Sequence, residues 1–294
     1  MKFKGVFPPM ITPFGSDGKI NHYHHIENVE KWNEDNLAGY LVLGSNSETV
    51  FLNEKEKLKL VELTAKYASK DRVILAGTGM ESAIETISLT NKAADLGAQA
   101  ALILTPHYYY SKMNDEAQIY FYTEVADRSN IPILIYNVPA FTSINVSNYV
   151  ISTLSHHPNI IGMKDSTGNI PQIINFQKGM ADDFDILLGT ASAWYPALQL
   201  GIKAGIFALS NCAPNECTLI QKAYEDGNKS LAESIYRSIF PVNAAVTATY
   251  GIPGLKYACE LLGYHGGYVR NPLKSLNEKD QAQLRSVMEE AGLI

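Results

Sequence analysis

The sequence predicts an α/β fold, a (β/α)8 TIM barrel with a C-terminal helical extension, and three observations carry that reading. Short apolar runs recur eight times, starting about 20 to 35 residues apart, the length of one strand, one helix and two short loops. The segments between them have helical periodicity and helix-start signals. A doubly wound sheet is the structural rival, but it usually carries a Gly-rich phosphate loop after its first strand, where Pro8-Pro9-Met10-Ile11-Thr12-Pro13 stands here.

In chain order, strands are expected at Gly5–Ile11, Gly39–Leu43, Val73–Gly77, Ala100–Leu104, Pro132–Tyr136, Ile160–Lys164, Asp185–Leu188 and Gly205–Leu209. Each is apolar on both faces, as strands covered by helices must be. Among the crossovers, Asn53-Glu54-Lys55-Glu56 has the form of a capping box ahead of Leu58, Leu60, Val61 and Leu63, and Asn114-Asp115-Glu116 opens another helix. Beyond the eighth strand roughly 80 residues remain, which read as helices at Glu216–Glu225, Lys229–Ala245, Pro253–Leu262 and Glu278–Glu290. A barrel needs one helix there. The expected division is a catalytic barrel over residues 1–215, and the final barrel helix with the extension over 216–294, where the excess covers one barrel face or meets a partner subunit.

Composition narrows the function classes. The chain has 294 residues, 46% of them hydrophobic and 18% charged, enough apolar material for a large core. Its net charge of −6 and the lack of any lysine or arginine run argue against nucleic acid and anionic membranes as partners. The three cysteines, Cys212, Cys217 and Cys259, stand in no CxxC or Cys/His cluster, which suggests a reducing compartment. Pro8 and Pro9 interrupt the start before a signal-peptide core develops, and no stretch reaches the roughly 18 apolar residues of a membrane span. A soluble, cytoplasmic protein is expected.

In such a barrel the C-terminal strand ends face a common mouth, so they nominate the chemistry. Strand six ends at Lys164, whose stem emerges from the apolar run Asn159-Ile160-Ile161-Gly162-Met163. Burial disfavours a charged amine, and a neutral amine attacks a ketone to form a Schiff base. The bland alternative is an ion pair with the adjacent Asp165. Tyr136 ends the neighbouring strand five, from where a phenol can relay protons; a packing tyrosine is the alternative there. Ser45 and Asn46 lie on a glycine-introduced loop after strand two, where hydroxyl, amide and backbone donors can converge on a carboxylate, although Gly-Ser-Asn is also an ordinary turn. Tyr108-Tyr109-Tyr110 reads equally as core, subunit contact or supplier of one hydroxyl. The histidines offer no metal site, with His22, His24 and His25 on one early helix and His156-His157 before a proline.

Taken together, Gly44-Ser45-Asn46-Ser47-Glu48, Thr105-Pro106-His107-Tyr108-Tyr109, Tyr136-Asn137-Val138-Pro139 and Gly162-Met163-Lys164-Asp165-Ser166 resemble the dihydrodipicolinate synthase / N-acetylneuraminate lyase family of class I aldolases, from Gly5 to the C-terminus. The resemblance implies that Lys164 forms the Schiff base with pyruvate or another 2-oxo acid, without metal or organic cofactor. It gives Tyr136 the proton relay, places the pyruvyl carboxylate at Ser45 and Asn46, and makes Tyr108 a tyrosine exchanged across a dimer, Tyr109 being the alternative register. Ser166, Gly189, Thr190 and Phe207 then fall where a substrate wall is expected, with Trp194 nearby. A homotetramer, built as a dimer of dimers, is implied in the same way.

Within the family, dihydrodipicolinate synthases carry an arginine shortly after the YNVP motif to hold the carboxylate of aspartate semialdehyde, and Phe141 stands there. Sialic acid lyases carry an acidic pair after strand seven, where Ala191 and Ser192 stand. The chain looks most like 4-hydroxy-2-oxoglutarate aldolase-type members, sharing Asn243-Ala244-Ala245-Val246-Thr247 and Gly251-Ile252-Pro253-Gly254-Leu255-Lys256 with them. The expected function is aldol cleavage or formation of a 4-hydroxy-2-oxo acid, 4-hydroxy-2-oxoglutarate or a 2-keto-3-deoxy sugar acid. The alternatives are dihydrodipicolinate synthase and, from another class, a catalytically silent barrel that binds a 2-oxo acid.

Overall fold

The structure, a computed structural model, describes residues 2–294. Eight parallel strands, β1 Gly5–Phe7, β2 Gly39–Val42, β3 Val73–Gly77, β4 Ala100–Leu104, β5 Ile133–Asn137, β6 Ile160–Asp165, β7 Asp185–Leu188 and β8 Ala204–Ile206, pair in the order β1-β8-β7-β6-β5-β4-β3-β2. The ring closes between β1 and β2, where Leu41 N donates to Pro8 O at 3.0 Å and Met10 N donates to Leu41 O at 2.9 Å. β1 ends well before the expected Ile11 because Pro8 and Pro9 have no N–H for a ladder. β8 is short as well, and Ala208–Asn211 form a 3₁₀ turn in place of its expected end.

Alternation along the strands builds two apolar layers. Phe7, Leu41, Leu75, Leu102, Leu134 and Leu187 fill the barrel interior, and a larger cluster, with Trp32, Tyr122, Ile135, Phe176 and Trp194, packs strands against helices. The outer helices are α1 His22–Asn33, α2 Glu54–Tyr67, α3 Ala83–Asp95, α4 Asp115–Arg128, α5 Pro139–Thr142, α6 Asn148–Leu154, α7 Ile170–Gly179, α8 Trp194–Gln199 and α9 Pro214–Glu225. The capping box forms as its sequence indicates: Asn53 Oδ1 accepts from Glu56 N and Glu56 Oε2 accepts from Asn53 N, both at 3.0 Å. Such a cap is worth about 1 kcal/mol.

The chain continues through α10 Lys229–Ala244, α11 Gly251–Leu261 and α12 Glu278–Glu290. α10 runs into a π turn, Ala245–Thr249, that the expected helix did not include. Val246, Thr247 and Ala248 of this turn line the barrel mouth, in keeping with the frequent use of π turns at functional sites. No helix among the described residues is long and apolar enough to cross a membrane.

Candidate active site

Lys164 and Tyr136 face each other in register on β6 and β5, so both side chains leave the sheet on its interior side. Lys164 is 3% exposed, and its Nζ lies 4.3 Å from the centroid of the Tyr136 ring. The ion pair with Asp165 does not form, because successive strand residues point to opposite faces. Asp165 instead accepts from Asn137 Nδ2 at 2.8 Å and Thr167 Oγ1 at 2.5 Å. Burial raises its pKa while those bonds pull it down, with burial prevailing. Among the described residues Lys164 has no carboxylate within ion-pair distance. Tyr136 is buried too, which by itself would raise its pKa. The Lys164 ammonium, with the Ser45 hydroxyl 3.5 Å from the phenol oxygen, outweighs burial and holds the phenol below its ordinary value. A phenol that ionises more readily suits proton transfer.

Ser45 and Asn46 follow β2 on a 3₁₀ turn, Ser45–Ser47, whose flanks are conformationally costly: Leu43 has φ 62° and Glu48 φ 56°. Left-handed conformations of non-glycine residues cost on the order of 1–3 kcal/mol and persist only where surroundings enforce them. Here Thr12 Oγ1 donates to Ser47 O at 2.8 Å and Ser47 Oγ to Met10 O at 2.5 Å. Glu48 is gripped from the extension, with Lys256 Nζ 2.5 Å from its Oε1 and Arg270 N donating to its Oε2 at 2.7 Å. Lys256 Nζ also donates to Tyr268 O at 2.6 Å, and Arg270 pairs with Glu56 at 2.7 Å. The C-terminal helices are thus latched to the loop that carries Ser45. The residues of this latch were missed in the sequence reading; Lys256, buried within the largely apolar helix Gly251–Leu261 whose other charged residue is Glu260, was its one local signal.

On the far side of Lys164, a Cβ on Gly189 would lie 2.0 Å from Ser166 Oγ and 2.8 Å from Asp165 O, so only glycine fits. Ser166 Oγ is buried, has no hydrogen-bond partner and faces the mouth. Phe207 departs from expectation. It is fully buried, edge-on to Trp194 with centroids 5.0 Å apart, because its ring folds back over Gly205; Ile206 and Ala208 line the mouth in its place.

These residues surround a cavity of about 730 Å³ that takes in Ser45, Asn46, Tyr136, Lys164, Ser166, Gly189 and Thr190. Phe141 stands on its rim, 63% exposed, and the π turn with the segment Pro272–Lys274 forms the opposite wall. Tyr108 is not in it. Its side chain is 76% exposed, on a loop pinned where Glu81 Oε2 accepts from His107 N and Tyr108 N, both at 2.9 Å. A second cavity, of about 260 Å³, shares Ser45 and Tyr136 with the first and opens beside His107. Elsewhere, His24, Glu27 and His265 bring potential metal-ligating atoms within 4.8 Å of one another. The two imidazoles stack at 4.0 Å with planes 13° apart, and His265 Nε2 lies 3.1 Å from Glu27 Oε2.

Comparison with known proteins agrees with this architecture. The model of the dihydrodipicolinate synthetase family matches residues 2–291. A 4-hydroxy-tetrahydrodipicolinate synthase of Methanothrix thermoacetophila is 34% identical over 288 residues, covering 97% of this chain and 96% of that protein. One from Thermodesulfovibrio yellowstonii is 33% identical and covers 99% of each. The crystal structure of the chloride-inhibited dihydrodipicolinate synthase of Acinetobacter baumannii, complexed with pyruvate, has a TM-score of 0.94 at 27% identity and covers 100% of both chains. The family named from the sequence motifs is therefore the right one: this chain belongs to the dihydrodipicolinate synthetase family and is an enzyme of its aldolase type.

Proposed function

We propose that Lys164 condenses with the C2 carbonyl of pyruvate, or of a larger 2-oxo acid, and that the enzyme forms or breaks a carbon–carbon bond at C3. The observation that carries this reading is the pairing of a buried, carboxylate-free lysine with an in-register tyrosine at the floor of an open cavity. The amine adds to C2, water leaves, and the protonated imine accepts the electron pair when the C3–C4 bond breaks or the C3 proton departs. That imine is the electron sink a Lewis-acidic metal would otherwise supply. Tyr136 moves protons between the reacting oxygen or carbon and its neighbours. Ser45 and Asn46 hold the C1 carboxylate, Ser166 offers a free hydroxyl, and Gly189 leaves room for the adduct.

Tyr108 joins the relay from a second copy of the chain, since its own loop directs it into solvent while the smaller cavity leads from His107 to Tyr136. A homo-oligomer with at least this dimer contact is the working form.

For the acceptor, the relatives named 4-hydroxy-tetrahydrodipicolinate synthase favour condensation of pyruvate with aspartate semialdehyde. That places the alternative from the sequence reading ahead of its leading one. The second reading, cleavage of 4-hydroxy-2-oxoglutarate or a 2-keto-3-deoxy sugar acid, is favoured by Phe141, which puts a ring on the rim after β5 where no bidentate cation is available. Borohydride trapping with pyruvate, read by peptide mapping, tests the shared chemistry. An adduct on Lys164 that disappears in Lys164→Ala supports it, and an untrappable enzyme refutes it. Rates with aspartate semialdehyde plus pyruvate against 4-hydroxy-2-oxoglutarate then decide between the acceptors.

A further inference from the structure

The wall of the main cavity opposite the barrel comes from the extension, and its polar groups are unequal. Thr247 Oγ1 donates to Asn243 O at 2.6 Å and Tyr250 OH donates to Gln283 Oε1 at 2.9 Å, so both hydroxyl protons are already committed. Lys274, exposed on the same wall, forms no hydrogen bond or ion pair among the described residues. Among the described residues, Lys164 and Lys274 are the charged residues that line the cavity, and no acidic side chain does. Phe141, on the rim after β5, adds no charge.

A cavity lined by two lysines and no carboxylate carries a positive potential that an anionic ligand relieves. The first carboxylate of a 2-oxo acid is spoken for by Ser45 and Asn46, which leaves Lys274 without a counterpart. We propose that Lys274 is a specificity-determining residue that pairs with a second carboxylate, carried by the acceptor or by the distal end of the substrate. This rests on the imine chemistry proposed above and narrows the substrate to a 2-oxo acid that, once assembled, is at least a dicarboxylate. A lysine serves as a point charge here, so a carboxylate of somewhat variable reach is accommodated better than by a rigid guanidinium fork.

The test compares two oxo acids that differ in the distal carboxylate. Borohydride trapping is titrated with pyruvate and with 2-oxoglutarate in the wild type, Lys274→Met and Lys274→Arg. The expected result is that Lys274→Met raises the half-saturating concentration of 2-oxoglutarate about tenfold, equivalent to about 1.4 kcal/mol, and leaves that of pyruvate unchanged, while Lys274→Arg stays near wild type. Equal changes for both acids, no change for 2-oxoglutarate, or a wild type that traps pyruvate but never 2-oxoglutarate would each overturn the role of Lys274 and leave the imine reading intact. A wild type that traps neither acid would overturn both.

Discussion

Replacing Lys256 by methionine removes one half of a buried ion pair and leaves the other half in place. Lys256 is 2% and Glu48 0% exposed, with nitrogen and oxygen 2.5 Å apart. At that separation and an effective dielectric constant of about 20 the gross attraction is about 6.6 kcal/mol, set against the desolvation of both ions. Burial already lowers the Lys256 pKa, and the Glu48 carboxylate opposes that shift. In Lys256→Met the carboxylate keeps only the Arg270 N–H, and stranding a buried charge in this way costs about 3–5 kcal/mol. For a chain of this size, at roughly 2 °C per kcal/mol, the melting temperature should fall by about 6–10 °C. The loss should also reach the site, because Glu48 holds its left-handed conformation directly after Ser45–Ser47. The half-saturating pyruvate concentration in borohydride trapping should rise about three- to tenfold. The double variant Glu48→Gln/Lys256→Met, which removes both charges, should recover most of the melting temperature. Scanning calorimetry and the trapping titration give both readouts. A Lys256→Met protein that melts within about 1 °C of wild type and binds pyruvate normally would refute the latch.

Other consequences can be checked independently. Tyr136→Phe should slow turnover by about 10²- to 10⁴-fold while leaving adduct formation on Lys164 within a few-fold of wild type; equal losses in both would rule out the relay. Tyr108→Phe and Tyr136→Phe proteins, each impaired alone, should regain activity when mixed and allowed to exchange subunits, because half the sites in a mixed dimer then contain both tyrosines. No recovery, despite demonstrated exchange, would exclude a contribution across the interface. His25 is buried, and burial, with a smaller contribution from His22, lowers its pKa from 6.5 to about 4. The folded state therefore resists a proton that the unfolded chain accepts. Stability from this residue is complete above pH 6.5 and is lost as the pH falls toward 4, by about 3.4 kcal/mol in all at about 1.36 kcal/mol per pH unit. His25→Gln should flatten the wild-type dependence of unfolding free energy across that window, and parallel curves would show that His25 does not contribute.

The repeat of apolar runs made the barrel legible, since strands covered on both faces leave little choice of residue type. Val73–Gly77, Ala100–Leu104 and Asp185–Leu188 are strands at the expected bounds. Lys164 and Tyr136 were legible for a related reason. Each ends an apolar strand, and parallel neighbours with similar crossover lengths bring such ends level. Phe207 was misplaced because its position at a strand end says nothing about its rotamer, and the ring turns over Gly205 into the core. The π turn was hidden as well: Asn243–Thr247 has ordinary helical periodicity, and only packing against the barrel mouth distinguishes one widened turn from the rest of α10.

What the sequence determined by itself is local in origin: which segments become strands, where helices are capped, and which strand ends carry an amine, a phenol and a hydroxyl. Hydrophobic period, capping side chains and backbone chemistry act over a few residues and can be read in order. The latch between Glu48 and Lys256, the lysine left unpaired at Lys274 and the wall opposite Phe141 were decided only by the tertiary structure. The latch joins residues some 200 positions apart, and closure of the barrel under its C-terminal helices is what brings all of these groups to the same mouth.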